Sequence, residues 1–68
     1  MNTYLYIETK DGKVLKTTRD TTIKENEKFF KKHLKDDDNV IYVAIRYFDG
    51  WYTRTRKVLK DTRNKGGK

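Results

Sequence analysis

The residues of this chain that could do chemistry collect in its last third. Tyr42, Arg46, Phe48, Trp51, Tyr52, Arg54, Arg56, Lys57, Lys60, Arg63 and Lys65 interleave aromatic rings with guanidinium and ammonium groups. Guanidinium forks bind phosphate oxygens bidentately and stack on planar rings. Exposed aromatic side chains give stacking platforms worth about 1–3 kcal/mol per base in complexes with single strands. Together these types are the contact set of a nucleic-acid-binding surface. The pattern names a class of partner only. It holds no ribonucleoprotein octapeptide, no GXXG loop and no recognition-helix signature that would separate DNA from RNA or strand from duplex.

Catalytic sets are thin. The chain has no Ser, Cys, Pro or Gln and a single His, which removes serine and cysteine nucleophile triads. It has no glycine-rich phosphate loop. Metal-free RNA cleavage needs an acid/base pair and a cation, roles open to His33, Glu27 and an arginine, but no spacing brings these together. Asp36, Asp37 and Asp38 lack the spaced oxygen ligands and the glycine of a calcium loop, and read as a solvated connector. The expectation is a protein that is not an enzyme and takes no metal or cofactor.

Charge supports an anionic partner. The net charge is +7 over 68 residues, but residues 1–50 carry ten Lys and Arg against nine Asp and Glu. Residues 51–68 carry seven against Asp61 alone. Such asymmetry between halves points to a basic recognition surface. The length sets one domain near the lower limit of independent folding, and no cysteine is present to staple it. No run approaches the roughly 18 apolar residues of a membrane span, so a cytoplasmic protein with no membrane partner is expected.

Those residues need a scaffold. Residues 3–9 have strand composition, Asp11-Gly12 is a turn dipeptide, and residues 14–19 return, giving an N-terminal β-hairpin. Leu5 and Ile7 project to one face of it and Tyr4, Tyr6 and Glu8 to the other. Thr22 followed by Glu25 fits a capping box, opening a helix to about Lys35. Ile23, Phe30 and Leu34 share its apolar stripe, with Glu27 inside it. Phe29 lies off that stripe beside His33, either at the sheet margin or as a small contact patch. Residues 40–48 form the most apolar strand, Asp49-Gly50 turns it, and residues 51–59 return with rings, threonines and arginines interleaved. After Leu59 no apolar residue occurs, so residues 60–68 read as a flexible basic tail and residues 1–59 as the single domain.

The fold class is therefore α+β: hairpin, helix, hairpin (ββαββ), one four-stranded sheet with one helix packed on one face. In element order and turn positions this resembles the β-grasp arrangement of small immunoglobulin-binding domains, over roughly residues 3–59. The resemblance implies a sheet with the first and last strands central. The apolar third strand makes an all-antiparallel sheet with that strand inside an equal alternative to this β-grasp-like order. No binding motif of those domains is present, so their function does not transfer.

The last hairpin has two registers. A two-residue loop sets Phe48 against Trp51 and Arg46 against Thr53; one more loop residue sets Phe48 against Tyr52 and Arg46 against Arg54. In both, Arg54 and Arg56 share a face with Tyr52. The third strand carries Ile41, Val43 and Ile45 on one face and Val40, Tyr42, Ala44 and Phe48 on the other. One helix covers only one of these faces. An uncovered aromatic face marks a binding surface. It supports a homodimer, or a protein-interaction module (a small inhibitor or adaptor such as a phage or other mobile element encodes), as the alternative to nucleic-acid binding.

Overall fold

Alternation builds the first strand, β1 (Tyr4–Thr9), with Leu5 and Ile7 on one face and Tyr4, Tyr6 and Glu8 on the other. The structure, a computed structural model, describes residues 2–17 and 21–63. β1 pairs antiparallel with β2 (Val14–Lys16) and with β3 (Val40–Phe48), and β3 pairs antiparallel with β4 (Thr53–Asp61). The result is one four-stranded antiparallel sheet in the order β2-β1-β3-β4. The all-antiparallel expectation holds. The β-grasp order does not, because β3 rather than β4 lies beside β1. The inner position suits the strand whose residues are apolar on both faces.

The helix joins β2 to β3. Thr22 and Glu25 form the capping box: the Thr22 hydroxyl accepts the Glu25 N–H at 3.1 Å and the Glu25 carboxylate accepts the Thr22 N–H at 2.8 Å. Helix α1 (Ile23–Phe29) runs on into a π-helical segment (Phe30–Leu34), where the Lys35 N–H donates to the Phe30 carbonyl at 2.9 Å. Ile23, Phe30 and Leu34 pack over one sheet face against Leu5, Ile7, Val40, Val43 and Ile45, with Leu59 at the margin. Glu27 sits half-buried on this side of the helix, and Asn26 is the polar residue fully buried there. Asn26 is buried, donates its amide to Thr3 Oγ1 at 2.8 Å and accepts the Thr21 hydroxyl at 2.9 Å. Its three-residue step from Ile23 places it over the start of β1, where the Thr3–Thr21 bridge supplies its partners.

Three β-bulges decide which face several residues meet. In β3, Ile41 is the extra residue between the pairs Thr9–Val40 and Glu8–Tyr42, so Val40 turns toward the helix and joins the core. Simple alternation places it with Tyr42 instead. In β4, Arg56 is extra between Ile45–Lys57 and Arg46–Thr55, and Leu59 between Val43–Lys60 and Ala44–Val58. Neither expected register of this hairpin occurs. Its loop is four residues, 49–52, and Phe48 pairs with Thr53. Arg46 faces Thr55 and Arg54 faces Tyr47, so the two arginines are not opposed.

The domain also extends further than Leu59. β4 runs to Asp61, and the Thr62 N–H donates to the Ile41 carbonyl at 2.8 Å. Residues 60–63 belong to the fold because Ile41 and Tyr42 offer them strand partners, which the absence of apolar side chains could not reveal. The rest of the expected tail, residues 64–68, lies outside the described residues. Among the described residues no helix is long and apolar enough to cross a membrane.

Candidate nucleic-acid interface

The β3–β4 turn is organised by one carboxylate. Asp49 Oδ1 accepts the backbone N–H groups of both Trp51 and Tyr52, each at 2.8 Å, and the Asp49 N–H donates to the Tyr52 carbonyl at 3.0 Å. Its other oxygen accepts the Arg54 Nε–H. The Arg54 guanidinium, then the Tyr52 and Trp51 N–H groups, hold the Asp49 carboxyl far below the usual carboxylate range. Gly50 takes the positive φ that the turn requires, +103°. The backbone is thus fixed while the rings stay in solvent: Trp51 is 84% exposed, Tyr52 67% and Phe48 60%. The Arg54 guanidinium lies 5.9 Å from the Tyr52 ring centroid. Arg56, exposed at the first bulge, has no ion pair among the described residues.

The sheet face away from the helix is closed by the chain itself. Tyr42 is only 6% exposed, under the guanidinium of Arg63 at 3.7 Å from its ring centroid. Arg46 lies likewise over Tyr6 at 3.8 Å, and the two rings meet edge to face at 6.0 Å. Arg63 pairs with Glu8 and Asp61, each at 3.3 Å, and Tyr6 donates its hydroxyl to Glu8 at 2.8 Å. That hydrogen bond, with partial burial and the Glu8 charge, raises the Tyr6 pKa. Arg46 Nε is buried without a hydrogen-bond partner among the described residues, and the Tyr6 π-face stands in for one. The Tyr6–Tyr42 part of the sheet face expected to dock a partner or a second copy is therefore covered, while Phe48 and Val58 on the same face stay exposed. Tyr42 is a packing residue.

Two lysines of the expected contact set face the helix. Lys57 pairs with Glu27 at 2.7 Å and lowers the pKa of that carboxyl. Lys60 donates to the Lys35 and Asp37 carbonyls at 3.3 and 3.1 Å, placing a cation at the helix C-terminal end. The Phe29 and His33 rings lie 4.7 Å apart, tilted by 46°, on the exposed helix side, apart from these groups. Asp37 accepts the Asn39 N–H at 2.9 Å in the connector to β3.

Of the residues singled out in the sequence, the structure gathers Phe48, Trp51, Tyr52 and Arg54 at one end of the sheet, with Arg46 and Arg56 on the adjoining strands. It gives Tyr42, Arg46, Lys57, Lys60 and Arg63 internal partners, and Arg54 its pair with Asp49. Lys65 lies outside the described residues. The sequence reading missed Asp49 as the organiser of the turn. Its signal was an aspartate at the head of a loop, whose short carboxylate reaches the N–H groups two and three residues on. No family model matches the chain, and no curated protein or solved structure is similar to it at a level that shows relationship.

Proposed function

We propose that this is a small non-catalytic nucleic-acid-binding protein whose contact surface is the β3–β4 turn and the arginines beside it. One observation carries the reading. Three large rings stand in solvent, Phe48 at the end of β3 and Trp51 and Tyr52 on a turn that satisfies their backbone N–H groups, and Arg56, further along β4, has no ion pair among the described residues. A ring that served folding alone would be packed, as Tyr4 and Tyr42 are. The positive net charge supplies the attraction to phosphate, and the rings supply contact with bases. The contact set is then narrower than the sequence pattern: Tyr42, Arg46, Lys57, Lys60 and Arg63 are engaged inside the fold, and Arg54 by Asp49. The same reading places the protein in the cytoplasm, where nucleic acid is met.

Salt dependence tests it. Affinity for DNA or RNA, measured by fluorescence anisotropy at two salt concentrations, should fall steeply as salt rises. Replacing Arg56 by Ala should reduce the logarithmic salt slope by about one, the value for one lost phosphate contact, and leave melting unchanged. Absence of binding to either nucleic acid, or binding indifferent to salt, rejects the reading and favours a protein partner for the same rings.

A further inference from the structure

Building on the nucleic-acid reading, we infer that the ligand of the β3–β4 turn is an unpaired strand, held by base stacking on Trp51 and Tyr52, rather than a duplex read in its groove. The first argument is the chemistry that the turn presents. Its outward groups are π-faces, and the faces of bases are accessible in a single strand but stacked away inside a duplex. Reading base edges in a groove calls for rows of forked donors or amides. The turn offers one indole N–H and one phenol hydroxyl, and its nearest guanidinium, Arg54, is held by Asp49.

The second argument is what the ribbon behind the turn has available. A two-stranded ribbon entering a major groove would lead with the turn and read with its strand faces. On the helix side Lys57 and Lys60 are committed to Glu27 and to the helix-end carbonyls. On the other side β4 presents Thr53, Thr55 and Val58 beside Phe48, Arg46 and Ala44. Such a surface has few donors for base edges. Of its cations, Arg46 lies over the Tyr6 ring, and Arg56, exposed at the β4 bulge opposite the Ile45–Arg46 step, is the one offered to the phosphates of a strand stacked on the rings.

The third argument is preorganisation. Asp49 fixes the backbone that carries Trp51 and Tyr52, so little backbone order must be gained when a base lands on either ring. A turn that had to fold around its ligand would not need both N–H groups satisfied beforehand.

Trp51 is the only tryptophan, so its emission reports on this site directly. The full chain is titrated with three probes of equal length, roughly a dozen nucleotides: an unstructured DNA strand, the matching RNA strand, and the DNA duplex. Quenching of Trp51 by a strand, with affinity at least about ten-fold above the duplex, is expected. Trp51→Ala and Tyr52→Ala should each weaken strand binding by roughly 5- to 150-fold, the range for one lost stacking contact. Melting should not change, since both rings are exposed. The DNA and RNA arms decide which sugar the site prefers. Duplex affinity equal to or above that of the strands, or strand binding with Trp51 emission and Trp51→Ala affinity unchanged, overturns the inference and leaves nucleic-acid binding standing. Failure of all three probes to bind overturns both.

Discussion

The two faces of the sheet are covered by different means. On one face the helix lays Ile23, Phe30 and Leu34 over Leu5, Ile7, Val43 and Ile45, an apolar layer of the ordinary kind. On the other, no element is laid across among the described residues. Arg46 and Arg63 fold flat over Tyr6 and Tyr42, and Glu8 takes the Arg63 charge and the Tyr6 hydroxyl. The long arginine stems and planar guanidinium groups exclude water from the rings while their outer nitrogens keep it. A chain of 68 residues thus covers both faces of its apolar third strand without a second layer. Part of the cover that favoured a dimer is thus supplied within the chain, with Phe48 and Val58 left exposed. Of the rings that stay exposed, Phe29 lies on the helix, and Phe48, Trp51 and Tyr52 gather at the β3–β4 turn, away from this arginine cover.

Removing residues 60–68 is the strongest way to break the contrast. A chain ended after Leu59 loses the pairs Val43–Lys60 and Tyr42–Asp61, the Lys60 cap on the helix end and the Arg63 cover of Tyr42. Both faces suffer at once. Thermal melting should fall further than for a single substitution on either face, with a chain ended after Arg63 as the reference that keeps every one of these contacts. Equal melting of the two chains would mean that residues 60–63 do not hold the sheet.

Next in size are paired substitutions, one on each face. Leu5→Ala opens a cavity under the helix and should cost about 2–5 kcal/mol. That is a large share of the roughly 3–10 kcal/mol that a chain of this length holds at about 0.05–0.15 kcal/mol per residue. Tyr42→Ala tests whether the arginine-covered face is packed to a similar degree. If it is, the loss falls in the same range, since large aromatic residues behave as other buried ones do. If that face is ordinary surface, the change stays within roughly 0.5 kcal/mol. Denaturant unfolding of both variants, fitted with a common slope, decides between the two.

Much of this architecture is legible in the sequence, and the parts that are not share a cause. The hairpins, the capping box and the Leu5/Ile7 face come from local pattern: alternation, turn dipeptides and the Thr22/Glu25 spacing. The bulges at Ile41, Arg56 and Leu59 do not, because a bulge is a property of two strands and leaves no mark in one. Each bulge flips the face of its neighbours along the strand, which is why Val40 reaches the core and why Lys57 turns toward Glu27. The Asp49-Gly50 dipeptide locates the turn but not its length, since Asp49 commits its carboxylate to Trp51 and Tyr52 rather than closing a two-residue loop. Residues 60–63 look like tail when apolar content is the criterion, whereas strand pairing and arginine stacking need none. At the candidate site, residue types are visible and exposure is not: Tyr42 and Trp51 look alike in sequence, and only packing separates them.

The smallest expected effect is on pH dependence, and it separates the two faces again. On the helix side and in the turn, Glu27 and Asp49 have carboxyl pKa values lowered by Lys57 and by Arg54 with two backbone N–H groups, from ordinary values of 4.5 and 3.8. A group whose folded pKa is depressed adds stability that is complete above its unfolded value and is lost as pH falls through the folded one. Melting temperature should therefore decline below about pH 4, and Glu27→Gln should flatten part of that decline. On the other face the sign reverses. Tyr6 is raised above its ordinary 10.0, chiefly because its hydroxyl donates to Glu8. Its contribution is complete below that value and is lost as pH rises through the folded pKa, when a phenolate would meet the Glu8 carboxylate without a proton between them. Tyr6→Phe keeps the ring for Arg46 and Tyr42 but removes the proton, so it should melt slightly lower near neutrality and show a shallower alkaline decline. If Tyr6→Phe leaves the alkaline limb as steep as before, the Tyr6–Glu8 bond does not contribute to closing that face, and arginine stacking alone covers it.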